Sequence, residues 1–276
     1  MATDVDALYE EHLSEADRRI IEEATGLGPP FARALGRPEL EVAVFGADLG
    51  DHTLAAMSPF LAFAVAVHRT AAHLEGASFV EERFSARLRI PVFDVEPLRE
   101  LLGTPERRFF LVELLASYTH VSSGATWQRT RRGWRRRRFS ELDPVRLAEL
   151  VELADELDRP GIYRRLGDLA LFLTGVFPDH EAAFDFGPRA PRLARVAGLA
   201  PTAADEEETG AALLERVGAR AYRAAVASVE RLGLPVTGSL AVVADMAERF
   251  ATARRVLNVV TDRYLFPIRG QWFGAG

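Results

Sequence analysis

The chain of 276 residues contains no cysteine. Disulfides, thiolate metal sites and cysteine nucleophiles are therefore excluded. Lysine is also absent, so all 34 basic residues are arginines. A genome rich in G and C favours arginine codons without any functional demand, whereas selection for bidentate anion binding favours arginine because of its forked guanidinium group. The total number of arginines therefore carries no functional weight, and only their local clustering can.

Several motifs that carry chemistry are missing as well. The chain has no glycine-rich phosphate loop of the form G-x-x-x-x-G-K or G-x-G-x-x-G, no nucleophile motif G-x-S-x-G and no zinc motif H-E-x-x-H. Its histidines include His68 and His73, whose five-residue spacing does not place them on one helical face. The motifs therefore assign no catalytic residue, no metal site and no cofactor.

No segment has the pattern of a leader peptide or a membrane span. The first residues are acidic and lack a basic stretch followed by an apolar one. The longest uncharged apolar run, about residues 53–67, is interrupted by Pro59 and is shorter than the ~18 residues expected of a span. We therefore expect a cytoplasmic protein.

Helical spacing of apolar residues dominates the chain and predicts an all-α fold. Hydrophobic residues make up 48% of the sequence and charged residues 27%, which is ordinary globular usage. Helices predicted at 59–75 and 161–177 are apolar on most faces, so they are expected at the centre of a bundle. Two long helices, about 205–232 and 238–265, are expected to pack as a pair across the turn Gly233-Leu234-Pro235.

The simplest architecture consistent with these patterns is one helical domain over 1–276. It is a multi-helix bundle with one small inserted β-hairpin at about 126–139. Two capping patterns in the sequence support the predicted helix starts. Ser14 resembles the first residue of a capping box, and Ser58-Pro59 resembles an N-cap followed by an N1 proline.

The highest local concentration of charge in the sequence is a run of arginines in an otherwise acidic chain. Seven arginines fall within residues 129–138, whereas the whole chain has a formal charge of -6. The remainder of the chain, without those seven charges, carries -13. Arg132-Gly133 between two segments rich in Trp, Thr and Phe predicts a two-residue hairpin turn.

The predicted turn fixes which residues face each other across the hairpin. Arg131 is expected opposite Trp134, and Arg129 opposite Arg136. Like charges placed directly opposite are unfavourable. Such a hairpin therefore requires anions, acidic side chains or a partner over it.

Our leading hypothesis is a binding protein without an enzymatic role, which contacts an anionic macromolecule through the hairpin. Nucleic acid is favoured over an acidic protein, and an anionic membrane surface is less favoured than either. Two tryptophans, Trp127 and Trp134, are expected to stack on bases or sugars. The residues expected to bind anions are Arg129, Arg131, Arg132, Arg135, Arg136, Arg137 and Arg138.

Two alternatives from other classes remain open. One is an all-α enzyme or ligand sensor with an interior pocket near Asp168, His68 or Asn258, because a carboxylate inside an apolar helix is costly without a partner. The other is an oligomeric scaffold, including a homo-oligomer, in which the hairpin pairs with the protein's own acidic residues. The acidic run at 205–208 is the expected counter-charge in that case.

Overall fold

The computed structural model describes residues 4–46, 57–85, 88–119, 123–130, 133–140, 142–177, 186, 189–199 and 210–266, with the backbone alone for 83–85, 123–130 and 133–140. These residues form twelve α-helices and two antiparallel two-stranded sheets. The predicted all-α fold with an inserted hairpin is confirmed. A second hairpin, formed by the strands Val80–Ser85 and Leu88–Val92, precedes it along the chain.

The helices and strands have the following bounds along the chain. The helices are α1 Val5–His12, α2 Glu15–Thr25, α3 Pro38–Phe45, α4 Pro59–Gly76, α5 Glu96–Leu102, α6 Pro105–Ser117, α7 Pro144–Leu153, α8 Arg159–Val176, α9 Ala190–Val196, α10 Gly210–Arg231, α11 Gly238–Glu248 and α12 Phe250–Val260. A 3-10 turn spans Phe31–Arg33 and a π-helical turn spans Thr261–Leu265. The strands are β1 Val80–Ser85, β2 Leu88–Val92, β3 Ser123–Thr130 and β4 Gly133–Ser140.

Side-chain caps set the helix starts that the sequence indicates. The hydroxyl of Ser14 accepts a hydrogen bond from the amide of Asp17 at 3.1 Å, and the Asp17 carboxylate accepts one from the Ser14 amide at 2.9 Å. This is the predicted capping box, and it separates α1 from α2. Ser58 caps α4 in the same way, because its hydroxyl accepts from the amide of Leu61 at 3.1 Å.

The chain groups into two compact units, residues 1–119 with 255–276, and residues 120–254. In the first unit, α4 is buried over 60–67 and packs against α6. In the second unit, α8 is buried over 166–172 and packs against α10, which in turn packs against α11. Each predicted central helix therefore lies in the core of its own unit, and one domain over 1–276 stays a prediction.

The helix predicted over 238–265 is wrong as a single element. It is divided into α11, α12 and a π-helical turn, with Arg249 between the two α-helices at φ -107° and ψ 20°. No glycine or proline marks the break. Phe250 begins α12 with its ring directly over Gly218 of α10, where any side chain would overlap it. We attribute the break to this tertiary contact, because packing overrides a continuous helical pattern.

The first hairpin belongs to the first unit and carries the alternating residues of 88–92. Val80 pairs with Val92 and Glu82 with Ile90, and the register shifts between Arg83 and Ser85. In the sequence of this second strand, Leu88, Ile90 and Val92 alternate with Arg89 and Pro91, a spacing that favours a strand over a helix. Within the described part of the chain, no helix has both the length and the apolar character that a membrane crossing requires.

Candidate functional site

The predicted hairpin at 126–139 is present as strands β3 and β4, and its ladder extends from Ser123 to Ser140. We call residues 123–140 the arginine hairpin. Thr130 pairs with Gly133, so the connection consists of Arg131 and Arg132, which lie outside the described residues. The ladder places five of the seven clustered arginines at defined positions in two strands: Arg129, Arg135, Arg136, Arg137 and Arg138.

The register of the arginine hairpin differs from the predicted one. Gly133 pairs within the ladder, so the turn begins one residue earlier than Arg132-Gly133. Arg129 therefore lies opposite Trp134 and not opposite Arg136. The predicted register set two guanidinium groups against each other, which is unfavourable. In the observed register every arginine of β4 has an uncharged partner, as the pairs Gln128–Arg135, Trp127–Arg136, Thr126–Arg137 and Ala125–Arg138 show.

Strand alternation divides the arginine hairpin into two faces of different composition. Residues directly opposite in a ladder share a face, and successive residues of a strand alternate between faces. One face, which we call the tryptophan face, carries both tryptophans and three arginines: Trp127, Arg129, Trp134, Arg136 and Arg138. The opposite face carries two arginines with mainly polar neighbours: Thr126, Gln128, Arg135, Arg137 and Phe139.

Acidic residues next to the arginine hairpin are paired with arginines from outside it. Helix α7 follows β4 in the chain and contacts it. In α7, Glu149 is 7% exposed and accepts from Arg146 at 2.8 Å and from Arg192 at 2.9 Å. Arg192 also donates to Glu152 at 2.7 Å. Asp143, the N-cap of α7, lies 3.9 Å from Arg189. These carboxylates and arginines form a network of ion pairs within the second unit.

Asp168 is held by partners within the second unit. It is 9% exposed, and its Oδ1 accepts a hydrogen bond from the hydroxyl of Tyr222 at 2.8 Å. Its Oδ2 lies 3.9 Å from Nε of Arg164. Gly167 allows this contact, because a side chain there would overlap the Tyr222 ring. The sequence identified Asp168 but not Tyr222, since 54 residues separate them.

His68 lies in the first unit and forms a pair with a buried tyrosine. Its Nε2 is 2.9 Å from the hydroxyl of Tyr9, which is 1% exposed. Burial, with a smaller contribution from the charge of Arg108, lowers the pKa of His68 to about 3. The ring is therefore neutral at neutral pH and suits a structural hydrogen bond. Burial also raises the pKa of Tyr9. No spacing in the sequence links Tyr9 to His68.

Asn258 lies on α12, in the first unit, and is half-buried. Asp168 belongs to the second unit, so the three predicted pocket residues are divided between the two units. Across the described ranges, no group of three His, Asp or Glu residues is placed to hold a metal ion. The acidic run 205–208, the predicted counter-charge of the arginine hairpin, lies outside the described residues.

Comparisons with family models, with curated proteins and with solved structures each found no match to this chain.

Proposed function

We propose that the protein binds nucleic acid through the arginine hairpin and has no enzymatic role at this site. The observation that carries the proposal is the register of the ladder. Arginines of β4 are set opposite Gln128, Trp127, Thr126 and Ala125, so no arginine in the ladder opposes another and none has an acidic partner across the strands. A ribbon of this kind presents concentrated positive charge.

Phosphate polymers are the anions that match such a ribbon best. Guanidinium groups form bidentate hydrogen bonds with phosphate oxygens. Each phosphate that is neutralised releases condensed counterions, so several arginines close together bind much more tightly than one. The hairpin has seven arginines within ten residues. This number lies within the range of about 6–10 phosphate contacts that nucleic-acid-binding proteins make.

The carboxylates of the helix that follows the hairpin have arginine partners from outside it. Glu149 and Glu152 are paired with Arg192, and Glu149 also with Arg146. These guanidinium groups offset part of the negative charge beside the hairpin, which lowers the attraction that those carboxylates exert on further cations.

The remaining charge of the chain confines the contact to the hairpin. Outside residues 129–138 the chain carries a formal charge of -13, which repels a polyanion. A nucleic acid is therefore attracted to one ribbon and repelled by the rest of the surface. This distribution favours a defined site over diffuse coating, and it fits the cytoplasmic location expected from the sequence.

Matched charge variants test the proposal. The variant R135S/R136S/R137S/R138S removes four charges from β4. The control R33S/R37S/R195S/R220S removes four charges from exposed positions elsewhere. With a labelled oligonucleotide in fluorescence anisotropy, we expect the β4 variant to lose about 100-fold or more in affinity, because each phosphate contact contributes a separate counterion term.

The control is expected to lose little affinity, and circular dichroism establishes that both variants are folded. Equal losses in the two variants, or no loss in either, would overturn the proposal. Stronger binding of poly-glutamate than of the oligonucleotide would also overturn it, in favour of an acidic protein partner.

A further inference from the structure

We infer that the ligand of the arginine hairpin is a single-stranded nucleic acid, bound on the tryptophan face of the ladder. This inference rests on the proposed function and adds to it the class of nucleic acid and the face that is used. Its basis is the placement of Trp127 and Trp134 on one face together with three arginines.

The tryptophan face alternates aromatic and cationic positions. Trp134 is opposite Arg129, and Trp127 is opposite Arg136, two residues further from the turn. The two tryptophans are therefore diagonal neighbours in the ladder, and residues in that relation lie roughly 7–8 Å apart. Each has an arginine directly across from it. A strand running along this face can place bases on the indole rings while its phosphates meet the neighbouring guanidinium groups.

Base stacking on aromatic side chains is available only when the bases are unpaired. In a duplex the bases stack on one another, and a protein in the groove meets base edges. An indole offers a single donor and no acceptor, so it reads those edges poorly. On a single strand each stacked base contributes roughly 1–3 kcal/mol, whatever its sequence. Two tryptophans beside three arginines therefore fit a single strand better than a duplex.

The opposite face of the arginine hairpin supplies an internal comparison. It carries Arg135 and Arg137 next to Gln128 and Thr126, without tryptophan. Arg135 and Arg137 have the same charge as Arg136 and Arg138 and lie in the same strand. A ligand attracted by charge alone does not distinguish the two pairs, whereas a ligand that stacks on the tryptophans does.

The experiment compares R136S/R138S with R135S/R137S on single-stranded DNA or RNA of about 16 nucleotides, the upper end of site sizes for small single-strand-binding folds. Both variants remove two charges from β4. We expect R136S/R138S to weaken binding at least about 10-fold more than R135S/R137S, because only the former removes cations beside the stacked bases.

A second arm removes the aromatic rings without changing charge. W127L/W134L is compared with W272L, which replaces the third tryptophan of the chain. We expect W127L/W134L to weaken oligonucleotide binding about 10-fold or more and to leave the affinity for inorganic polyphosphate within about 3-fold, since polyphosphate has no bases to stack. We expect the wild-type protein to bind the single strand more tightly than a duplex of equal length.

The outcomes separate this inference from the proposed function. Equal losses in the two arginine pairs, or an unchanged affinity in W127L/W134L, would overturn the tryptophan-face inference. So would tighter binding of the duplex than of the single strand. In each of these cases the proposed function still stands if removing all four β4 arginines abolishes binding, and it fails if that variant binds normally.

Discussion

Arg192 donates a hydrogen bond to Glu149 across 2.9 Å and thereby occupies the most buried carboxylate of the helix that follows the arginine hairpin. The same guanidinium group donates to Glu152 at 2.7 Å. Arginines outside the hairpin thus compensate the acidic side chains beside it.

Replacing Arg192 is expected to reduce both stability and ligand affinity. In R192L, Glu149 loses one arginine partner, and an incompletely paired buried carboxylate costs about 1–3 kcal/mol. Glu149 and Glu152, without the charge of Arg192, also repel phosphates more strongly, so we expect oligonucleotide affinity to fall about 3-fold. Urea unfolding and anisotropy measure the two effects.

The control for R192L is R195L, one helical turn further along α9, where the side chain is exposed. It removes the same charge without touching Glu149. If R195L lowered stability and affinity as much as R192L does, the role of the ion-pair network would be refuted.

Gly167 is predicted to be required for the close contact between α8 and α10. A methyl group there overlaps the ring of Tyr222, which is buried. We expect G167A to lower the free energy of unfolding by about 1–3 kcal/mol, the usual range for overpacking. In G161A, in the same helix, the new methyl group meets no atom within 4 Å. That variant should be neutral or more stable, and equal unfolding midpoints would contradict the packing argument.

The hydroxyl of Tyr222 is predicted to stabilise the second unit through Asp168. Y222F removes the donor and leaves a buried carboxylate oxygen without it, at a cost of about 1–3 kcal/mol. D168N keeps an acceptor for the same hydroxyl and is expected to cost less. D168A removes the acceptor, so denaturant unfolding of Y222F, D168A and Y222F/D168A gives the coupling energy. A coupling near zero would show that this hydrogen bond does not hold the two helices.

His68 is predicted to make the protein less stable in mild acid. Its pKa is about 3 in the folded protein against about 6.5 in an unfolded chain, so the unfolded chain binds the proton first. The contribution of His68 to the free energy of unfolding is present in full above about pH 6.5. It is lost as the pH falls toward about 3, by at most about 1.4 kcal/mol per pH unit.

Urea midpoints at several pH values between 7 and 4 measure this effect. The wild-type protein is expected to lose stability steadily, and H68Q is expected to lose less over the same interval. H12Q, which removes an exposed histidine stacked on Phe60, is the control and should follow the wild type. Identical slopes for wild type and H68Q would exclude His68 as the source.

Local signals in the sequence were sufficient for much of the fold. Ser14 and Ser58 cap their helices as predicted, because a cap depends on residues within one turn of it. The break at Arg249 could not be predicted, because no glycine or proline marks it and the contact to which we attribute it, Phe250 with Gly218, joins residues more than thirty positions apart. Tyr222 and Tyr9 escaped prediction for the same reason.

The arginine hairpin was predicted from the sequence, but its register was not. The turn signal predicted the hairpin itself, but the turn begins one residue earlier than predicted. As a result, each residue of β3 pairs with the β4 residue two positions before the predicted one, as Arg129 does with Trp134 in place of Arg136. A slide of two preserves strand alternation, so Trp127 and Trp134 share a face in either register. The composition of each face was therefore contained in the sequence, whereas the pairing of Arg129 with Trp134 was not.

The salt dependence of binding tests most directly whether the arginine hairpin holds a nucleic acid. Contacts between phosphates of a single strand and the three arginines of the tryptophan face predict that the logarithm of the association constant falls linearly with the logarithm of salt concentration, with a slope of about -2. We expect that slope for the wild-type protein and a slope nearer about -0.7 after removal of the four β4 arginines, which leaves Arg129 on that face. A slope close to zero for the wild-type protein, or the same slope in both proteins, would contradict the proposed site.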